Sequence, residues 1–244
     1  MRVRVLKVSI FCLIGFLFVY SNNVFGVENP VITPELSKQI VDKIRAGTIQ
    51  INRKYKGAKF VEDVTTQIFN SKTGELDETT TVLLLRRMYN NKEAEITPLT
   101  YYKDGKKQPL SDYKSEEGET IHNVFDENGE KYYNVKVIGY KKIGDQDCYQ
   151  LKVIPKGETA KHIIGDMYFT TDSLEIVLFK GTLGSFPFGV KNMNITANYF
   201  SLKGYSVPSS SLIEVFVHIP FVFSNKKLVI KSVTSSHKLL SVSD

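Results

Sequence analysis

From Gly57 almost to the C-terminus, apolar and polar residues alternate with a period of two, and turn residues cut the alternation into short runs. Successive side chains of a strand point to opposite faces, so this rhythm predicts strands with one face buried. "GAKFVEDVTTQIFN" and "TTTVLLLRRMYN" flank "SKTGELDE" and predict a hairpin. Asp104-Gly105 and Asn128-Gly129 predict two further tight turns between strands. The series continues through "YQLKVIP", "DMYFTTDSLEIVLFK", "MNITANYFSLKGYSVP", "SSSLIEVFVHIP" and "KKLVIKSV". Short connections make neighbouring strands antiparallel. The fold class that follows is α+β: one large, curved antiparallel sheet with at least one helix packed on it.

The helix is the segment that breaks the rhythm. In "TPELSKQIVDKIRAGT", Thr33 is the N-cap, Pro34 opens the first turn, and Leu36, Ile40 and Ile44 recur every four residues beside Val41. Gly47 is the expected stop, giving a helix over 34–46. Before it, Arg2, Arg4 and Lys7 precede an apolar run from Val8 to Tyr20, which reads as an export signal over 1–26. The run is shorter than the roughly 20 apolar residues of a membrane span. The expected organisation is therefore a signal over 1–26 and one domain over 27–244. The formal charge of +6 includes Arg2, Arg4 and Lys7 but no carboxylate before Gly26, so the domain carries +3. That is no electrostatic footprint for nucleic acid. Cys12 leaves with the signal, and the one remaining cysteine forms no internal disulfide.

Catalytic constellations are sparse. Cys148 alternates with Tyr149, Leu151 and Val153 and so falls on the other face, with Gln150, Lys152 and Ile154. A hydrolase would need Cys148 activated by a base, and His162 is the nearest histidine in sequence. His122, His162, His218 and His237 are isolated and match no zinc spacing, and "GTLGSFPFG" lacks the ending of a phosphate loop. No cofactor or metal is implied. His218 shares a face with Glu214 and Phe216, opposite Ile213, Val215, Val217 and Ile219. Pro220 cannot donate to a ladder and marks an edge, bulge or loop. Asn194-Ile195-Thr196, within a strand-like run, is read as chance.

The remaining chemistry is a surface. Val135, Val137, Tyr149, Leu151, Val153, Val177 and Phe179 place bulky apolar side chains at alternate positions. With Leu36, Ile40 and Ile44 of the helix they are the expected lining of an apolar concavity. Two occupants fit: an apolar ligand, or helix 34–46 with the long loops. Between Gly181 and Gly189, Phe186 and Phe188 are the candidate lid.

The order of "GDQDCYQLKVIPK", "GDMYFTTDSLEIVLFK" and "ITANYFSLKGYSVPSSSLIEV" resembles the outer-membrane lipoprotein-sorting (LolA-like) family and its sigma-factor-regulator relatives. Tyr149, Leu151, Pro155, Asp172, Tyr199, Gly204 and Pro208 carry the resemblance, which covers roughly residues 130–220. It implies an eleven-stranded or similar half-barrel with helices in its concavity, in the periplasm. It also implies non-covalent binding of lipoprotein acyl chains or another lipid, with an inner-membrane transporter and an outer-membrane acceptor as partners. A functional arginine is implied too, and Arg45, Arg53, Arg86 and Arg87 are its candidates. The alternative is a sensor module that binds a membrane protein.

Overall fold

The computed structural model describes residues 31–90, 94–113, 123–157, 162–186, 189–219 and 224–242. The expected signal, His122, Phe188 and Pro220 lie outside the described residues. The helix α1 (Pro34–Lys54) begins as expected, with the Thr33 hydroxyl accepting the Leu36 amide at 3.1 Å. It does not stop at Gly47. A glycine costs a helix interior about 1 kcal/mol relative to alanine, and the next turn is held by other contacts. Thr48 Oγ1 donates to Ile44 O at 2.9 Å, and Ile51 lies against the turn at Gly204. The helix ends where the Tyr55 amide donates to Ile51 O and the backbone becomes extended.

Ten strands and a two-residue edge piece follow. They are β1 (Tyr55–Asn70), β2 (Leu76–Tyr89), β3 (Glu95–Lys103), β4 (Lys106–Lys107), β5 (Tyr133–Ile143), β6 (Gln146–Pro155), β7 (Ile163–Thr170), β8 (Ile176–Leu183), β9 (Val190–Leu202), β10 (Tyr205–Ile219) and β11 (Ser224–Ser241). They form one open antiparallel sheet, ordered β4-β3-β2-β1-β11-β10-β9-β8-β7-β6-β5. Every link but one joins neighbours in sequence. The exception is β1 with β11, which brings the two ends of the sheet-forming chain together in mid-sheet.

Turn chemistry accounts for most links. Asp104 and Gly105 both have positive φ, as a primed hairpin turn requires, and so do Lys203 and Gly204 between β9 and β10. Asn128-Gly129 behaves differently from its sequence reading. It opens the single-turn helix α2 (Gly129–Tyr132) rather than a hairpin. The reason is close packing, since a Cβ on Gly129 would stand 2.1 Å from Val124 O. The "YFSLKGYSVP" run also divides at Lys203-Gly204, so Pro208 lies inside β10 rather than between strands. Proline is tolerated there because β10 pairs with β11 only from Ser210 onward, after a register shift between Pro208 and Ser210.

The core has three parts. The largest joins Ile40, Val41 and Ile44 of α1 to Val137, Leu151, Val153, Met167, Phe169, Phe179 and Ala197 of the sheet. A second packs Phe60 and Ala58 against Val207 at the tip of the β9–β10 hairpin. A third holds Cys148, Tyr168 and Leu178.

Candidate functional site: the helix-bearing face of the sheet

Paired residues of a ladder point to the same side of the sheet. One such row crosses ten strands: Val137, Leu151, Met167, Phe179, Ala197, Ser211, Ser232, Val64, Val82 and Tyr101. Its first five members all belong to the cluster that includes α1, so the whole row marks the helix-bearing face. The next row runs Val135, Val153, Gly165, Gly181, Ile195, Ile213, Ile230, Thr66 and Thr80. Gly165 and Gly181 face each other where the backbones leave no room. A Cβ on Gly181 would meet Ile164 O at 2.1 Å and the Phe179 ring at 2.6 Å. The Phe179 ring fills the space that a side chain would take.

The structure brings most of the expected lining together around α1. Ile40, Ile44, Val137, Leu151, Val153 and Phe179 are buried in one cluster, with Leu36, Val135 and Tyr149 half-buried against it. Leu151 and Val153 have no exposed surface. Val177 is the exception. Strict alternation puts it beside Phe179, but it packs with Cys148, Tyr168 and Leu178. A bulge explains this, because Tyr168 pairs with Leu178 while Phe169 pairs with Ile176, leaving Val177 as the extra residue. Phe186 is exposed after β8.

The hydrolase reading fails on position. Cys148 pairs with Thr170 at one end of β7, and His162 stands one residue before the other end, eight residues from Thr170. At strand spacing that separates them by roughly 25 Å. Burial pushes the Cys148 thiol up, away from the thiolate a nucleophile needs. His162 is buried, with Nδ1 2.7 Å from Gly157 O and its ring against Tyr132 and Tyr133. Among the described residues no three His, Cys, Asp or Glu side chains converge as a metal site.

The four candidate arginines all face carboxylates. Arg53 pairs with Glu127 at 3.2 Å and Arg87 with Glu95 at 3.2 Å, both near the surface. Arg86 Nε meets Glu62 at 2.7 Å on the helix-bearing face, next to the row that holds Val64 and Val82. Arg45, on α1, pairs with Glu130 and keeps only 14% of its side chain exposed. It lines a groove of about 540 Å³ between α1 and the edge strand β5.

Sequence reasoning missed the far side of the same face. Val64 and Ile68 of β1, Val82 and Leu84 of β2, Ile213 and Val215 of β10, and Leu228 and Ile230 of β11 share it by register. Val82, Leu84 and Val215 are buried and the others half-buried, and none belongs to the three core clusters. The signal is present in the alternation of Ile213, Val215 and Val217. What was missing was the β1–β11 pairing that joins those residues to Val64 and Val82. The opposite face there is polar, with Asp63, Thr65, Gln67 and Lys231 around an exposed Val233.

No family model and no curated protein matches the chain. Solved structures do. The fold is similar to an outer membrane lipoprotein-sorting protein domain from Vibrio parahaemolyticus, at 10% identity and TM-score 0.41, over 84% of this chain and 92% of that one. A DUF1329 family protein from Desulfovibrio piger is similar at 11% identity and TM-score 0.41, over 83% and 92%. A LolA superfamily protein from Nitrosomonas europaea is similar at 12% identity and TM-score 0.36, over 87% and 96%. Among the described residues no helix is long and apolar enough to cross a membrane.

Proposed function

We propose that the chain is a non-catalytic periplasmic carrier or binding protein for an apolar ligand, an acyl chain of a lipoprotein or lipid. In this reading the sheet curves into a half-barrel, and α1 sits in its concave side over β5 to β9. One observation supports it above the rest: the helix-bearing face continues past α1 as an apolar strip outside the three core clusters, half-buried at Ile213, Leu228, Ile230, Val64 and Ile68 and buried at Val215 and Val82. Val215 and Ile213 on β10, Leu228 and Ile230 on β11, Val64 and Ile68 on β1 and Val82 on β2 make up this strip. Four strands at sheet spacing give a strip about 14 Å wide. Each methylene removed from water there contributes about 0.8 kcal/mol. The residues that meet where α1 packs on the sheet (Leu36, Ile40 and Ile44 of α1 with Val135, Val137, Tyr149, Leu151, Val153 and Phe179) form the end of the groove that α1 fills. Phe186 and Phe188 serve as the lid. The ligand passes from an inner-membrane transporter to an outer-membrane acceptor, and differences in affinity between the apolar grooves set the direction.

The test is extraction of the purified protein for lipid, with displacement of an apolar fluorescent probe. Acyl chains in the extract and probe release by a fatty acid are the expected results, and Ile230→Asp should weaken the probe by about tenfold or more. An extract free of acyl chains, with no probe bound, would sink the carrier.

A further inference from the structure

We propose that the face of β5 to β8 turned away from α1 docks on a membrane surface that carries anionic lipid. One row of this face pairs Lys136 with Lys152, Lys152 with Asp166, and Asp166 with Lys180. Each adjoins in sequence a residue that packs under α1 (Val137, Leu151, Met167 or Phe179), so each points to the other side. Lys141, opposite Cys148, shares that side, with Nζ 5.8 Å from the centre of the Tyr168 ring. Among the described residues these four lysines face one strand carboxylate, Asp166, and it is already used. Its Oδ1 meets Lys152 Nζ at 3.0 Å, and its Oδ2 accepts from Gln150 at 2.9 Å. Asp145, Asp172 and Glu175 lie in or beside the turns at one end of the strands. Lys136, Lys141 and Lys180 are therefore exposed without a carboxylate partner among the described residues. Lys136 also stands directly opposite Lys152, and like charges so placed destabilise a sheet. A patch of one sign held at that cost is complementary to a surface of the other sign.

Two isoleucines make the patch amphipathic. Ile154, two residues from Lys152 on the same side, is 41% exposed, and Ile138 is 46% exposed. Ile138 is the extra residue of a bulge, because Val137 pairs with Leu151 and Gly139 with Gln150. Apolar side chains among ammonium groups suit a partner that is anionic at its surface and apolar beneath. The lysine stems can lie along such a boundary while their charged heads stay in water. A protein partner fits less well. All four cations are lysines, which protein interfaces deplete, whereas arginine is enriched there. A compact ammonium suits a diffuse field of headgroups, and a guanidinium fork suits fixed acceptors. Nucleic acid fits less well too, since Tyr168 beneath Lys141 is buried and offers no ring for a base to stack on. The patch lies on the other side of the sheet from the strip around Ile230, so docking and cargo binding stand or fall separately.

The experiment mixes the full chain with vesicles of phosphatidylglycerol and phosphatidylcholine in equal parts, or of phosphatidylcholine alone, and reads the acetylation of each lysine by mass spectrometry. Lys136 and Lys180 should lose most of their reactivity on the anionic vesicles and none on phosphatidylcholine. Lys107 and Lys203, exposed elsewhere, should react as in the free protein. Combining Lys136→Gln with Lys180→Gln should weaken co-sedimentation with the anionic vesicles by about 25-fold, roughly fivefold for each lysine. Residues 1–30 are the same in parent and variant, so the difference reports this face. Full reactivity of Lys136 and Lys180 on anionic vesicles would overturn the proposal. So would equal affinity of variant and parent, or tighter binding of polyglutamate than of the vesicles.

Discussion

The two halves of the sheet are built from the same alternating strands, yet they end in different physical states. Over β5 to β9, the helix-bearing face is closed by Ile40, Val41 and Ile44, and Leu151 and Val153 lose all exposure. Over β10, β11, β1 and β2, the same face is mixed: Val215, Val82 and Leu84 are buried, while Ile213, Leu228, Ile230 and Val64 are only half-buried. The change occurs at Ser211 and Ser232, whose hydroxyls meet at 2.9 Å in mid-row. One helix of 21 residues is about 32 Å long and can cover only part of eleven strands. The lesson is that strand alternation makes an apolar face, and a separate element decides whether that face becomes core or surface.

The largest expected effect tests this contrast directly. Leu151→Ala, under α1, should cost about 2–5 kcal/mol in urea unfolding, because the site cannot collapse around the lost atoms. Ile230→Ala, in the matching face of the other half, should cost less than about 1 kcal/mol, since its side chain is only half-buried. Equal costs would show that the far half is also core, and the comparison would break.

Next comes the seam that fastens α1 to the sheet edge. Ser37→Ala orphans the Val137 amide and should cost about 1–2 kcal/mol, with faster hydrogen exchange at Val137. Unchanged exchange there would mean that water replaces the hydroxyl and that α1 is held by apolar contact alone.

A smaller effect belongs to the corner where the halves meet. Tyr205, at the β9–β10 tip, donates to Asn90 Oδ1 at 2.7 Å, and burial pushes its phenol up to about 12. A raised folded-state pKa means that the folded protein holds the proton more tightly. The contribution is thus complete below pH ~10, the ordinary tyrosine value, and is lost as pH rises towards about 12. Tyr205→Phe should cost about 1 kcal/mol at neutral pH and flatten the fall in stability across that window. A slope identical to the parent's would assign the fall to other groups.

The smallest effect on stability should have the clearest effect on binding. Ile230→Ser should change unfolding by well under about 1 kcal/mol, because the residue is half-buried at a strand surface. It should nevertheless reduce apolar probe affinity several-fold. A probe that binds the variant as tightly as the parent would move the ligand away from this strip.

The antiparallel sheet, the capped start of α1, the hairpin at Asp104-Gly105 and the opposite facing of Cys148 and Leu151 were all legible in the sequence. Each depends on neighbours a few residues apart, where alternation, capping and turn preference act. Three features were not. Gly47 reads as a stop, but the helix continues because contacts from Thr48 and Ile51 outweigh its propensity. Val177 reads as a lining residue, but a bulge against β7 turns it over. Asn128-Gly129 reads as a hairpin, but the nearby Val124 carbonyl demands a glycine for a different reason.

By itself, then, the sequence determined which side chains share a face along each unbulged run of strand, because that depends only on the two-residue period of the backbone, and Val177 at its bulge was the exception. It also determined that Cys148 would lie apart from the apolar set of its own strand. Only the tertiary structure decided that β1 would pair with β11, which joins Ile230 to Val64 across residues far apart in the chain. Only it decided where α1 would lie, and therefore which half of one continuous face was packed beneath a helix and which kept half-buried positions such as Ile213 and Ile230. Those outcomes rest on long-range pairing and packing, and no local pattern of residues encodes them.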